Sequence, residues 1–314
     1  MALGVAALAM MISISAATDN AAVAAPKETA SDGATTSAAE ATPMSGPESS
    51  KEPTVFADVD LYVVYNSKGI ALRTALNRRY TYHRDVNPLF DKAHLQATVG
   101  ADINPAYGRY LVAVQWQPLQ ILRLRAEYAF MYFHGYAGLL TFDSIHDDWS
   151  EPVRLHFDGE EITGAHNIRL IPEVRMKIGP VVFQNTTEAN HYRVLSDAPI
   201  VFENWYGLPM ESVDWLLVNR AILGTELTLR DDDKLIVGGF YDVREVLGTK
   251  VDNHRLGAVA MWMPTELLGM TRVYGLLIVG VHLSHRYISG TPFLMAGFGG
   301  SIDILPPVVS MGSQ

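Results

Sequence analysis

Apolar and polar residues alternate along most of the second part of the chain. In residues 93–103 the odd positions are apolar and the even positions are polar or glycine. In residues 121–132 the even positions are apolar or aromatic, whereas charged residues such as Arg123 and Glu127 occupy odd positions. A repeat of two residues is that of a β-strand, because successive strand side chains point to opposite faces. An α-helix through either segment would carry charges within its apolar face, so the pattern predicts strands.

The alternation predicts an all-β fold with about twelve strands (10–14). The predicted strands are residues 55–65, 70–83, 93–103, 108–118, 121–134, 166–178, 181–194, 214–229, 234–247, 254–263, 272–286 and 292–304. Most of them reach the length of a tilted membrane strand, about nine to eleven residues. The two longest loops, 135–165 and 195–213, fall at the same end, and most connections at the other end are short. We therefore predict a transmembrane, antiparallel, up-and-down β-barrel over residues 54–304.

The start of the chain differs from the rest. Residues 2–17 form a short apolar run, and Ala22-Val23-Ala24 fits the cleavage pattern of a secretory signal peptide, which we assign to residues 1–24. A single anchoring helix is the alternative, although the run is short for a span. Residues 25–53 are rich in alanine, serine, threonine and proline, which predicts a disordered periplasmic segment. Residues 305–314 are assigned to a C-terminal tail.

Composition excludes several classes of function. The net charge is −10 at pH 7, and no basic face is visible in the sequence, so we do not expect nucleic acid as a partner. The chain has no cysteine, which excludes disulfides, thiol catalysis and thiolate metal sites. No phosphate-binding loop and no dinucleotide fingerprint is present. The sequence predicts neither a cofactor nor a metal site.

Over residues 54–304 the chain resembles the Gram-negative outer-membrane β-barrel proteins, including the porins. The resemblance lies in the architecture: a signal peptide, alternating strands, tyrosine and tryptophan near strand ends, and long loops at one end. It implies a location in the bacterial outer membrane. It also implies that outer-membrane lipid, lipopolysaccharide and the barrel-insertion machinery are partners. The oligomeric state stays open.

A closed barrel in lipid satisfies every backbone group and turns its polar side chains inward. The candidate lumen-lining residues, predicted to form the path of a solute, are Arg73, Arg79, Arg109, Arg123, Arg125, Glu127, Arg169, Glu173, Arg175, Lys177, Asp242 and Arg244. Asn77, Gln96, Asp102, Arg220 and His282 fall on the same predicted face. These residues predict a narrow charged lumen and a passive, porin-like channel for small polar or anionic solutes. Salt-bridge ladders that simply fill the barrel are the alternative.

One short pair of residues suggests a different function. His282 and Ser284 resemble the His-x-Ser pair of the twelve-stranded outer-membrane phospholipases, in which the histidine activates the serine for attack on a lipid ester. The predicted register turns both residues into the lumen, whereas a lipid-cleaving pair should face the bilayer. We therefore predict that the protein is not an enzyme, with a lipid hydrolase using His282 and Ser284 as the alternative.

The two long loops carry a third hypothesis, that of a non-conducting structural or adhesion barrel that acts through its extracellular loops. The first loop is acidic, with Asp143, His146, Asp147, Asp148, Glu151, Asp158, Glu160 and Glu161. Oxygen-rich loops can bind Ca²⁺. The spacing and the glycine of a calcium loop are missing, so a solvated loop is favoured. Folded inward, this loop could constrict a pore.

Overall fold

A computed structural model describes residues 55–65, 69–83, 90, 93–134, 139–150, 160–203, 206–229, 233–265 and 267–305. The assigned signal peptide, the 25–53 segment and residues 306–314 of the tail lie outside the described residues. The strands are β1 Val55–Tyr65, β2 Gly69–His83, β3 Ala93–Ile103, β4 Tyr107–Leu119, β5 Leu122–Phe133, β6 Leu139–Phe142, β7 Glu160–Glu161, β8 Gly164–Ile178, β9 Val181–Val194, β10 Ile200–Glu203, β11 Leu208–Glu211, β12 Val213–Thr228, β13 Lys234–Val246, β14 Asp252–Met263, β15 Thr271–Ser284 and β16 Pro292–Leu305. Within these ranges, no helix is long and apolar enough to cross a membrane.

Twelve of these strands form a closed antiparallel barrel. Each barrel strand pairs with the barrel strand that follows it along the chain, and β1 closes the barrel by pairing with β16. The predicted fold class is confirmed: all twelve predicted strands are present, and their bounds agree within two residues. The alternation succeeds because each strand has one face toward the interior and one toward the outside, so most strands show the same repeat.

The connections differ between the two ends. We call the end at which β1 begins and β16 ends the inner end, and the opposite one the outer end. A two-residue turn at the inner end joins β8 to β9 through Gly179, whose φ of 57° suits a tight hairpin. The two long connections lie at the outer end and contain β6, β7, β10 and β11, which pair in the order β11-β10-β6-β7. We call this four-stranded sheet the loop sheet.

The barrel has the polarity of a membrane protein. Outward side chains are large and apolar, as with Val99 at 62% exposure and Leu223 at 60%. Inward charged side chains are buried, as with Glu127 at 3% and Asp242 at 0%. A soluble barrel would have the opposite arrangement, because exposed apolar surface costs free energy in water. The apolar exterior therefore suits a lipid environment.

Candidate functional site

The interior of the barrel has two kinds of wall. Inward side chains on β2, β3, β4, β5, β8 and β9 are mainly charged or amide groups, including Arg73, Gln96, Arg109, Glu127, Arg169 and Glu188. Inward side chains on β15 and β16 and in the inner halves of β12 to β14 are mainly apolar, including Ile222, Ile236, Met261, Leu276, Ile278 and Met295. The sequence predicts a charged lumen, and the apolar wall departs from that prediction. The sequence feature that indicates this wall is the run Leu276–Val279, which is apolar at odd and even positions alike.

A continuous line of paired charges crosses nine neighbouring barrel strands. We call it the charge belt, and in strand order from β2 to β14 it consists of Arg73, Asp102, Arg109, Glu127, Arg169, Glu188, Arg220, Asp242 and Arg255. Its members alternate in sign from one strand to the next. Cross-strand register brings several pairs together directly, since Asp102 lies opposite both Arg73 and Arg109. Opposite charges on paired strand positions stabilise each other.

The contacts along the charge belt are close. On β2 to β4, Arg73 Nε lies 3.4 Å from Asp102 Oδ1, and Arg109 Nη1 lies 2.7 Å from Asp102 Oδ2. Arg109 also contacts Glu127. Arg169 joins two carboxylates, with Nη1 3.0 Å from Glu127 Oε1 and Nη2 2.6 Å from Glu188 Oε2.

The belt continues to β14 in the same way. Arg220 lies 3.5 Å from Glu188 and 3.3 Å from Asp242, and Arg255 Nη2 lies 2.7 Å from Asp242 Oδ2. Each of its carboxylates therefore forms ion pairs with at least two arginines. Sharing offsets the desolvation of every buried charge, which would be costly for an unpaired group.

Other charged side chains contact the carboxylates of the charge belt or form ion pairs closer to the inner end. Arg125 donates to Glu127 at 2.9 Å, and Arg244 Nε donates to Asp242 at 2.8 Å. Closer to the inner end, Arg123 and Arg175 both contact Glu173, at 2.6 and 2.7 Å. Other inner-end contacts join Lys177 to Glu226 at 2.9 Å and Arg79 to Gln96 at 3.3 Å.

All twelve candidate lumen-lining residues lie on inward-facing positions of their strands. The burial of these side chains decides whether they can line a water-filled passage. No member of the charge belt is more than 4% exposed. A water-filled passage that touched these side chains would expose them, so the belt fills its part of the interior. Arg175 and Lys177, near the inner end, are more open, with side-chain exposures of 13% and 22%.

The loop sheet lies against the interior of the barrel at the outer end. One of its faces belongs to the same apolar cluster as the barrel wall, through Leu139, Val201, Tyr206, Leu208 and Met210. Its other face carries Leu140, Phe142, Ile200 and Phe202, which pack with Trp149. The Trp149 ring centroid lies 5.9 Å from that of Phe202 and 4.6 Å from that of Tyr287. The described parts of the two long loops thus form a layered cap.

Tyr206 links the cap to the charge belt. Its hydroxyl donates to Glu188 Oε2 at 2.8 Å, and Arg244 Nη1 donates to its backbone carbonyl at 2.8 Å. The Arg244 guanidinium also lies 5.3 Å from the centre of the Tyr206 ring. Neighbouring hairpins hold the cap from the side, as Arg286 donates to the Ile145 carbonyl at 3.0 Å. The cap is therefore attached through both apolar packing and hydrogen bonds to buried charges.

Two acidic residues of the first loop accept hydrogen bonds that hold the cap together. The Ser150 amide donates to Asp148 at 2.9 Å and lowers the pKa of that carboxyl. Glu161 accepts from Ser196 at 2.6 Å and so connects the two long loops. Glu151, Asp158 and the side chain of Glu160 lie outside the described residues. In the described part of the chain, no group of three or more His, Asp or Glu side chains is arranged to bind a metal ion.

His282 occupies an inward position of β15, as predicted, whereas Ser284 follows a register shift, lies opposite His254 and is only partly buried. His282 is 2% exposed, and its Nδ1 lies 3.1 Å from the Asn253 amide oxygen. Ser284 donates its hydroxyl to Asp252 at 3.0 Å. The serine is therefore hydrogen-bonded to a carboxylate at the outer end of β14 whose side chain is 50% exposed, whereas His282 faces the interior.

Sequence reasoning did not single out Glu188, Arg255 or Tyr206. Glu188 lies in β9, where polar residues occupy both faces and alternation gives no signal. Arg255 could have been found by pairing β13 with β14 across their short connection, which sets it opposite Asp242. Tyr206 has no local signal, because its partners on β9 and β13 are far away in sequence.

No protein-family model matches the sequence, and no curated protein matches it. Among solved structures, the chain is similar to the beta domain of the Bordetella autotransporter BrkA, with a TM-score of 0.43, 11% identity and coverage of 79% of this chain and 98% of that one. It is also similar to the NanC porin, with a TM-score of 0.39, 8% identity and coverage of 79% and 100%. The KdgM porin, solved with disordered oligogalacturonate, gives a TM-score of 0.35, 9% identity and coverage of 80% and 99%.

The class of the protein follows from its own geometry. Twelve strands close on themselves, lipid-compatible side chains cover the outside, and charged side chains are buried inside. In a bilayer only helices and closed barrels satisfy every backbone hydrogen bond, which explains the need for closure. The chain is a closed, twelve-stranded antiparallel β-barrel with an exterior that suits a lipid bilayer.

Proposed function

We propose that the protein is a non-conducting outer-membrane barrel that presents its cap of long loops at the outer face. The burial of the charge belt is the single observation that carries this proposal. Nine strands contribute a belt residue, and each of these side chains is 4% exposed or less. An open pore needs a continuous water-filled path. The cap adds a second obstruction, since Tyr206 and Met210 extend into the apolar part of the interior.

The cap supports a role at the cell surface, as in the structural or adhesion hypothesis. Loops at the extracellular end of such barrels are the parts available to partners. Here the described parts of the two long loops pack against each other, and Arg286 and Thr249 of neighbouring hairpins donate hydrogen bonds to them. An ordered surface loses less conformational entropy on binding than a flexible one. Membrane lipid contacts the exterior, and we propose lipopolysaccharide and the barrel-insertion machinery as further partners. No catalytic role is proposed.

Planar-bilayer recording of the refolded full chain tests the proposal. We expect no steady single-channel current. Replacement of residues 197–210 by a short Gly-Ser linker removes β10, β11 and Tyr206, and it is expected to leave current low because the charge belt stays. A steady ohmic current from the unaltered protein would contradict the proposal and favour the passive channel.

A passive channel for small anionic solutes is the second candidate. Its supporting observation is a cavity on the inner-end side of the charge belt, lined by arginines such as Arg73, Arg79 and Arg123. A channel would require the belt arginines to separate from their carboxylates. Current that appears only in the linker variant would support this candidate, with the cap as its gate.

A further inference from the structure

A small polar patch interrupts the apolar exterior of the barrel on β9 and β12. It consists of Asn185 and Thr187 on β9 and Asn219 on β12, and we call it the amide patch. Asn219 is exposed, the other two residues are half-buried, and all three occupy outward positions of their strands. Among the outward positions of the described barrel strands, no other one carries an amide side chain. This part of the exterior therefore differs from the rest of the wall.

The amide patch lies in the middle of the wall, away from both ends of the barrel. Thr187 is the seventh of the fourteen residues of β9, and it lies opposite Asn219 in the ladder with β12. Outward residues around the patch are aliphatic, with Leu170 at 51% exposure and Leu223 at 60%. At this depth a bilayer offers no water to a polar side chain. Lipid is therefore a poor environment for this part of the wall.

Hydrogen bonds within the amide patch leave some of its groups unused. The two amides bond to each other, with Asn185 Nδ2 3.2 Å from Asn219 Oδ1 and Asn219 Nδ2 3.3 Å from Asn185 Oδ1. Asn219 Nδ2 also donates to Thr187 Oγ1 at 2.8 Å. In the described part of the chain, the Thr187 hydroxyl donates to no group itself. Each amide oxygen can accept a second hydrogen bond, so the patch presents one free donor and two free acceptor positions to the outside.

The backbone beside the amide patch is irregular as well. β8 pairs with β9 over residues 165–170 and again over residues 173–178, and the gap between them contains Pro172. This register places Pro172 opposite Thr187. A proline has no amide hydrogen, so the ladder lacks a bond next to the patch. Irregular backbone at membrane depth is tolerated where other protein covers it.

We propose that a second copy of this chain covers the amide patch, so that the protein is a dimer in the membrane. All copies insert in the same direction, and a two-fold axis along the membrane normal brings the two patches together at one depth. The Thr187 hydroxyl of each copy then donates to an amide oxygen of the other, because the patch carries both kinds of group. Ala189 and Ala221 flank the patch, and small residues let two walls approach closely while polar side chains bond across them. The dimer does not depend on whether the barrel conducts.

Energy transfer between labelled copies of the full chain in lipid vesicles tests the proposal. The chain has no cysteine, so Ser289→Cys in the exposed turn between β15 and β16 provides one site for a donor or an acceptor dye. We expect transfer above the level of random proximity, and its dependence on the protein-to-lipid ratio gives the dissociation constant of the dimer. Asn185→Leu combined with Asn219→Leu is expected to weaken the dimer roughly tenfold, because the amide oxygens that accept across the interface are lost.

The double substitution is expected to fold, because leucine suits a lipid-facing position. Heat-modified gel mobility checks that it does. Thr74→Leu is the control, since Thr74 is an exposed, outward threonine of β2 on the far side of the barrel, and it should leave the dimer unchanged. Transfer no greater than random proximity overturns the proposal and leaves the patch to lipid or to a different membrane protein. Undiminished transfer in the double variant, or equal weakening by the control, overturns it too, because the copies then meet at another face.

Discussion

The two walls of the barrel interior fill the space inside the barrel with different kinds of side chain. On β3 to β5, long side chains meet across strands as ion pairs, for example Arg109 with Asp102 and Arg125 with Glu127. On β14 to β16, aliphatic side chains such as Ile278 and Met295 fill the space by contact alone. The interior of a twelve-stranded barrel is wide, and side chains of both kinds fill it in the part of the chain that the structure describes.

The two walls differ in how well they tolerate amino-acid substitutions. Apolar contacts are non-directional, so an aliphatic wall accepts changes of shape at modest cost. Each carboxylate of the charge belt contacts at least two arginines, and its removal takes one buried partner from each of them. Tyr206 joins the two systems, because its ring packs in the apolar cluster while its hydroxyl reaches Glu188. We therefore expect substitutions in the charged wall to destabilise the protein more than substitutions in the apolar wall.

Glu127→Gln is expected to produce the largest loss. The substitution keeps the volume but leaves three buried arginines around a neutral amide, so the free energy of unfolding should fall by about 3–5 kcal/mol. Urea unfolding of the full chain in lipid vesicles, followed by tryptophan fluorescence, measures it. The matched control is Glu226→Gln, since Glu226 contacts Lys177 and Lys234, which are 22% and 34% exposed. That control should lose about 1 kcal/mol or less. Equal losses of unfolding free energy would mean that a charge-belt carboxylate contributes no more to stability than a carboxylate paired with exposed lysines.

The attachments of the cap allow the two chemistries to be compared within one element. Met210→Ala removes buried apolar contact from the loop sheet and should cost about 2–5 kcal/mol, depending on how far the site collapses. Tyr206→Phe removes one hydrogen bond to a carboxylate and should cost about 1.5–3 kcal/mol. Unfolding free energies and the rate of proteolysis within residues 195–212 measure both. A cap that is released by neither substitution would show that the side contacts from Arg286 and Thr249 suffice to hold it.

Alternation predicts the barrel from sequence because a membrane barrel repeats one rule on every strand. It assigned Arg125 and Asp242 to the inward face, and both lie there. Pairing needs more than alternation, since the contact of Arg220 with Glu188 depends on the register between β9 and β12 and on side-chain reach. The sequence pattern could not predict the loop sheet, because its strands have two to four residues and pair between distant loops. The apolar wall was missed because strands that are apolar on both faces do not alternate.

The smallest expected effect lies in the apolar wall. Ile278→Val removes one inward methylene from a side chain that is 0% exposed, and it should cost about 0.5–1.5 kcal/mol in unfolding free energy. Its control is Leu277→Val on the neighbouring, outward position, which is 45% exposed and faces lipid. Lipid chains can fill the space left there, so the control should change stability by less than about 0.5 kcal/mol. If the two variants lose the same amount, the interior wall is no better packed than the lipid-facing surface, and the tolerance ascribed to it comes from loose packing.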